Sequence, residues 1–374
     1  MKIRYFTHSL LSCWNHGNAH FLRGVLRELC AMGHDVLALE PEGNWSLSNL
    51  LADHGEAGLA PFRAAYPELV TYSYSRAAEL DALVEGADVV IVHEWNEPTL
   101  VAALGNLRAK GANYTLLFHD THHRAVSDPQ AIRAFDLSGY DGVLAFGEAL
   151  SHVYRRWGWG ERVWTWHEAA DLRHFHPPAV EQDREGLVWI GNWGDGERTA
   201  ELEDFLFRPA SQAGLPLDIC GVRYPAEALN MLAQYRVRYH GWAANARAPA
   251  IFARHMATVH VPRRYYTQLL PGIPTIRVFE ALACGIPLVS APWTDSENLF
   301  RPGQDFLFAR DGEQMTRHLR ALSADPDLRA SLVSSGLETI RSRHSCAHRA
   351  QQLMAIIASL CAPAAEPPFT RNVA

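Results

Sequence analysis

The sequence has no close pair of cysteines: Cys13, Cys30, Cys220, Cys284, Cys346 and Cys361 are scattered, with no zinc-ribbon spacing. That excludes a disulfide framework and points to buried or free thiols of a reducing compartment. Long apolar runs are also missing, and the first residues, MKIRYFTHS, enter a strand directly with no apolar signal segment. A cytoplasmic location is the resulting expectation. Nor is there an excess of positive charge, because 34 Lys and Arg stand against 41 Asp and Glu, for a net charge of −7. A nucleic-acid-coating surface is therefore not expected, although local basic clusters can still hold a small anion.

What is present is an ordinary globular composition, 48% hydrophobic and 20% charged, in 374 residues. That length is long for one core and comfortable for two. Strand-like runs alternate with helical ones, which predicts parallel, helix-covered sheets. In the first half the strands are expected at 3–7, 35–39, 89–93, 114–118 and 142–145. A polar, proline-bearing stretch near Asp171, LRHFHPPAVEQDREG, reads as a join. The alternation then restarts, with strands at 187–190, 217–220, 237–240 and 258–261 and a helix from Thr199. The expected organisation is a first domain at 1–171, a linker at 172–184, a second domain at 185–345, a helix at 346–361 that can pack back on the first domain, and a loose tail at 362–374. Trp157, Trp159, Trp164 and Trp166 lie close together. Two readings stand for them, packing at a domain edge or peripheral membrane contact.

The most informative segment is PGIPTIRVFEALACGIPLVSAPW, residues 271–293. Pro271, Gly272 and Pro274 keep the chain out of helix, and Thr275 can cap a helix that runs from Arg277 to Cys284. Gly285 stops that helix before a strand at Leu288. A helix amino terminus offers free N–H groups and a positive dipole end to phosphate, and a carboxylate one turn further in can reach a ribose diol. The plainer alternative is a core helix with a glycine cap.

These residues resemble the donor-binding segment of GT-B glycosyltransferases, in which Glu-x7-Glu is followed by Ala-x-Ala-x-Gly-x-Pro. Glu280 takes the place of the second Glu; Gly272 stands where the first would be. With Arg277 before Phe-Glu, the pattern is closest to the CgeB/YkvP-type, spore-maturation-like branch of family 4. Further pieces are similar in order: YDGVLAFGEALSHVYRRWGW, then Asp171, Phe175 and Pro177, then LVWIGNWGDGER and RSRHSCAHRA. The resemblance implies an α/β protein of two Rossmann-like, doubly wound domains facing a cleft, acceptor on the first and donor on the second. It implies transfer of a sugar from a nucleotide diphosphate, UDP- or GDP-linked, to a hydroxyl of a carbohydrate, lipid or small molecule, with retention of configuration and without metal or other cofactor.

The leaving diphosphate has to be stabilised as its charge builds, a task suited to arginine. Arg198, Arg223, Arg263 and Arg277 are the candidates, with Arg264 beside them; Arg277 can instead pair with Glu280. Gly191 and Asn192 would line the cleft, and Thr275, Ile276 and Gly272 would bring backbone to the donor. Glu280 would accept from the ribose hydroxyls. His93, His119 and Asp120, expected at strand ends on the cleft side, are the candidate catalytic residues, since an imidazole can take a proton from an acceptor hydroxyl. His16 and His20 are further cleft candidates. A metal site from His119, Asp120, His122 and His123 is not expected, because adjacent histidines on irregular backbone converge poorly on one ion. Two alternatives to a transferase are a catalytically silent sugar-nucleotide-binding protein and a sugar-nucleotide epimerase of the same fold.

Overall fold

The computed structural model describes residues 1–75, 80–180, 183–194 and 196–361. The tail expected at 362–374 lies outside them. The first seven strands are β1 (Lys2–Phe6), β2 (Asp35–Pro41), β3 (Thr71–Tyr74), β4 (Val89–His93), β5 (Thr115–Asp120), β6 (Gly142–Ala145) and β7 (Val163–Thr165). They form one sheet in the order β3-β2-β1-β4-β5-β6-β7. The second sheet takes β8 (Leu187–Ile190), β9 (Leu217–Cys220), β10 (Arg238–Tyr239), β11 (Ala257–His260), β12 (Leu288–Ser290) and β13 (Leu307–Phe308), in the order β10-β9-β8-β11-β12-β13. Every pairing in both is parallel. In each sheet the order reverses beside the first strand of its set, which opens a crevice at the carboxyl edge.

Why these segments are strands is clearest in β4, Val-Val-Ile-Val-His, where every residue is buried. A strand covered by helices on both faces has no polar side to show, so it reads as a continuous apolar run. Three strands were not anticipated: β3, β7 and β13. Each lies at a sheet edge and is at most four residues long, so it carries too few buried side chains to leave a pattern.

The helix Ala19–Ala31 covers one face of the first sheet, with Phe21, Leu22, Val25, Leu26 and Leu29 buried against it. The last helix, Cys346–Cys361, lies against that helix, although its sequence follows the second sheet. Trp166 Nε1 donates to the carbonyl of Arg349 at 2.9 Å, and Gln352 Nε2 donates to that of Thr165 at 3.0 Å. Contact here is too close for any side chain at Gly24, whose added Cβ would fall 2.5 Å from Cys346 Sγ.

The register corrects one expectation with consequences for the site. The strand placed at 114–118 is Thr115–Asp120, so His119 and Asp120 are ladder residues, with His119 opposite His93 on one side and Leu144 on the other. Their side chains are committed to the faces of the sheet. They are not free at its edge.

Candidate active site between the two sheets

The two carboxyl edges face one another across a cavity of about 490 Å³. Its first wall comes from the loop after β1, which supplies His8, Asn15, His16 and Asn18, and from the turns after β4, β5 and β7, which supply Trp95, His122 and Glu168. The second wall has Gly191, Asn192, Glu197 and Arg198 after β8, Arg223 after β9, Trp242 and Asn245 after β10, and Arg263 after β11. Pro274, Thr275, Ile276 and Arg277 complete it. Both walls therefore grow from the edges where doubly wound sheets collect ligands.

The helix Ile276–Ala283 aims its amino terminus at this space. Thr275 occupies the cap position with extended backbone but makes no side-chain cap bond. The Val278 N–H already bonds the Thr275 carbonyl at 3.1 Å, so the N–H groups of Ile276 and Arg277 and the positive end of the dipole are what is left for an anion. Glu280 sits one turn behind the wall, fully buried. Its carboxylate is held by Arg277, by Asn245 Nδ2 at 2.6 Å and by His20 Nδ1 at 3.1 Å. His20 Nε2 accepts the N–H of Asp171 at 2.9 Å, which leaves the ring proton on Nδ1, facing Glu280. Burial pushes the Glu280 carboxyl up, but Arg277 first, then His20 and Asn245, hold it below the usual carboxylate range. Of the two readings for Arg277, the structure shows the pairing with Glu280 from a position that also lines the cavity.

Arg198 is a different kind of cation. It is buried, lies 4.9 Å over the Trp189 ring and donates to the carbonyls of Val261 (3.0 Å) and Asn192 (2.6 Å). Among the described residues no carboxylate stands within ion-pair distance of it. Burial, with Arg263 nearby, pushes its pKa down to about 9. An arginine does not give up its proton in practice, so the shift expresses a buried cation short of negative charge. Arg263 pairs with Glu197 at 3.4 Å, and Arg223 lines the cavity from left-handed backbone, φ 61°. Arg264 pairs instead with Glu201 on the outer surface at 2.7 Å.

The first wall presents neutral imidazoles. Burial, then the neighbouring His93, lowers His8 to about 4; burial, then His8, holds His16 well below its usual range. His8 Nε2, His16 Nε2 and His122 Nδ1 are buried without a hydrogen-bond partner. Each can serve a hydroxyl group as donor or acceptor. Glu168 receives Asn18 Nδ2 at 2.9 Å, and burial together with the charge of Glu280 raises its pKa from 4.5 to about 8.

Glu168 gives a pH prediction. The folded state keeps its proton to about pH 8 while the unfolded chain releases it near 4.5, so stability falls as pH rises through that window and levels above it. Glu168→Gln has no proton to lose. The variant should gain on the wild type across the window, by a few kcal/mol in total, as read by urea unfolding at several pH values; a constant difference would show that Glu168 titrates normally.

Not every expected residue reaches the cavity. His93, His119 and Asp120 do not line it. His119 is packed under the helix Ala19–Ala31, 4.8 Å from the Trp166 ring, and bonds the Tyr5 hydroxyl through Nδ1. Asp120 accepts from Tyr154 Oη at 2.7 Å and from the His122 N–H at 3.0 Å, and burial and Glu94 raise it to about 7. His93 Nε2 contacts Thr121 Oγ1 and Glu94 Oε2, each at 2.9 Å. These three form the layer beneath the wall, because strand pleating turned them onto the sheet faces. Gly272 is also off the cavity. Its φ is +93° and an added Cβ would lie 2.3 Å from Ser296 Oγ, so backbone and space both exclude the glutamate of the Glu-x7-Glu pattern there. The next residue, Ile273, presses on Gly147 in the turn after β6, where an added Cβ would meet Ile273 Cγ1 at 2.3 Å. Sequence reasoning missed Glu168, His8, Asn18 and Asn245; their only signal was position, just after a strand end or in a loop with no pattern.

Residues 198–355 match the family model described as glycosyl transferase-like. No curated protein matches the chain in sequence. Solved structures do match in fold. Anabaena Alr3699/HepE in complex with UDP-glucose aligns with TM-score 0.65 and 14% identity over 96% of this chain and 100% of that one. The chain has the GT-B fold. Sucrose-phosphate synthase from Thermosynechococcus elongatus aligns with TM-score 0.64 and 16% identity over 96% and 99%. T4 phage BGT in complex with its UDP-glucose substrate gives 0.60 and 11% over 97% and 100%. In GT-B terms the residues that match the family model lie mostly in the second domain, and the cavity is the interdomain cleft.

Proposed function

We propose that the protein transfers a sugar from a nucleotide-diphosphate donor to a hydroxyl acceptor, with the donor held by the second wall of the cleft. The observation that carries this reading is the opposition across one cavity of two complementary surfaces. Arg198, Arg223, Arg263, Arg277 and an uncapped helix terminus offer positive charge on one side. Unpartnered neutral imidazoles of His8, His16 and His122 offer hydroxyl-binding groups on the other. A diphosphate suits the first and a sugar the second. UDP is preferred to GDP because Alr3699/HepE and T4 phage BGT were solved with UDP-glucose. Glu280 receives the ribose when Arg277 turns from it toward phosphate. Gly191, Asn192, Thr275 and Ile276 supply the backbone around the donor, while Gly272 serves the loop that positions them.

Metal-independent transfer belongs to the same reading, the arginines and helix terminus carrying the leaving-group charge. So does retention, which is supported by the family-4 resemblance and by the position of His93, His119 and Asp120 behind the wall. The CgeB/YkvP-type assignment rests on Arg277 preceding Phe279-Glu280 and on the glycine at 272. The acceptor is a carbohydrate, lipid or small molecule. No helix among the described residues is long and apolar enough to cross a membrane, and the cytoplasmic setting rests on six unpaired thiols.

At saturating concentration UDP should raise the melting temperature, a hundredfold excess over Kd contributing about 2.7 kcal/mol. No shift with UDP or GDP at millimolar concentration would end the donor assignment. Incubation with UDP-sugar separates an enzyme from a silent binding protein, since the latter retains nucleotide and releases no sugar; NMR of the product reads the anomer.

A further inference from the structure

A second hollow, of about 470 Å³, lies on the first domain and shares no lining residue with the cleft. Its floor is apolar, built from Ile132, Phe135, Leu137 and Tyr154. Over that floor stand Trp157 and Trp159, both half-buried, and three exposed arginines, Arg133, Arg156 and Arg162. The chain leaves the helix Glu148–Tyr154 in a wide turn, Arg155–Trp159, with Gly158 at φ 97° and Gly160 at φ 57°. An added Cβ at either glycine meets nothing within 4 Å, so glycine is there for its backbone freedom and not for space. The turn it permits brings both indoles into the lining of one hollow.

The charge here is unusual for an acidic chain. Arg133 lies 4.8 Å over the Trp157 ring and Arg162 4.8 Å over Trp159. No carboxylate lines the hollow, and among the described residues none of the three arginines makes an ion pair. Three guanidinium groups in a protein of net charge −7 thus line one hollow that no carboxylate lines, two of them over indole faces. Guanidinium binds carboxylate and phosphate through paired N–H donors, and indole offers a broad apolar face with a polar edge. The volume is on the scale of a small-ligand site.

We propose that this hollow is a second saccharide site, for sugar rings that carry a carboxylate or phosphate. The ring packs on the indole faces of Trp157 and Trp159, Arg133 and Arg162 turn from those indoles to the anionic substituent, and Arg156 joins them from the rim. A bilayer fits less well: membrane anchoring needs indoles that project from the surface, whereas these two are sunk beneath the arginines, and the 129–162 segment has no large apolar side chain among the exposed ones. The proposal is independent of the donor assignment, since its test reads binding and not turnover.

The test compares a galacturonic acid trimer with maltotriose by calorimetry on the full chain, with phosphatidylglycerol vesicles as a third arm. Wild type should bind the acidic trimer at least about tenfold more tightly than the neutral one. R156E/R162E should weaken the acidic trimer at least about tenfold, with the melting temperature and any UDP-induced shift preserved. R156Q/R162Q replaces that variant if it does not fold. Equal binding of the two trimers, equal binding by wild type and variant, absence of binding at millimolar concentration, or binding to vesicles but not to the trimer would each overturn the proposal.

Discussion

Glu280→Ala should destabilise the protein by about 3–5 kcal/mol and lower its melting temperature on the order of 10 °C. The residue is fully buried and its carboxylate answers Arg277, His20 and Asn245 together. Removing it leaves three polar groups, one of them charged, with no partner inside the protein. The contribution has a pH signature. The folded carboxyl is held below its unfolded value of 4.5, so the stabilisation is present above that value and is lost as pH falls below it. Glu280→Ala should therefore show a shallower loss of stability in acid than wild type. Nucleotide protection should vanish in the same variant. A variant as stable as wild type would contradict the buried pairing, and one that keeps full protection by UDP would remove Glu280 from the donor site.

Arg198→Met separates ligand binding from folding more sharply. The wild-type side chain is a buried cation that gives hydrogen bonds to two carbonyls and, among the described residues, makes no ion pair. Methionine keeps the apolar contact with Trp189, removes the cost of burying the charge and leaves the two carbonyls short of a donor. These changes oppose one another, each worth about 1–3 kcal/mol, so the unliganded protein should unfold within about 1–2 kcal/mol of wild type. UDP affinity should fall roughly a hundredfold, the loss of one strong charge-assisted contact to phosphate. Calorimetric titration with UDP beside denaturant unfolding reads both quantities. Unchanged affinity would mean that Arg198 serves the wall of the cleft and not its ligand.

The pattern of strands was legible because a parallel sheet buries both faces, and runs such as Val89–His93 and Leu187–Ile190 can be nothing else at that length. The donor segment was legible for another reason. Proline, glycine and threonine fix where the helix Ile276–Ala283 starts and stops, so the carboxylate at 280 falls one turn inside it. Apart from His16, the first wall was not legible. His8, Asn18 and Glu168 are separated by up to 160 residues, and only the strand order that places β1 and β7 in one sheet brings their loops to one cavity. His119 and Asp120 were misplaced by two residues of strand length, because β5 runs on to Asp120; His93 ends its strand as expected, but its side chain lies on a sheet face that helices cover.

Gly272 shows the division most clearly. By itself the sequence determined two tandem parallel-sheet halves, the helix after Thr275 and the absence of a glutamate at 272. Those are consequences of local chemistry, in which backbone preference and buried apolar runs suffice. Only the tertiary structure decided why the glutamate is absent, since the left-handed backbone and the closeness of Ser296 depend on how the loop is pressed against the first domain. It also decided which histidines meet the cleft and which lie beneath it, because burial and register arise from contacts between elements far apart in the chain, and no residue carries them alone.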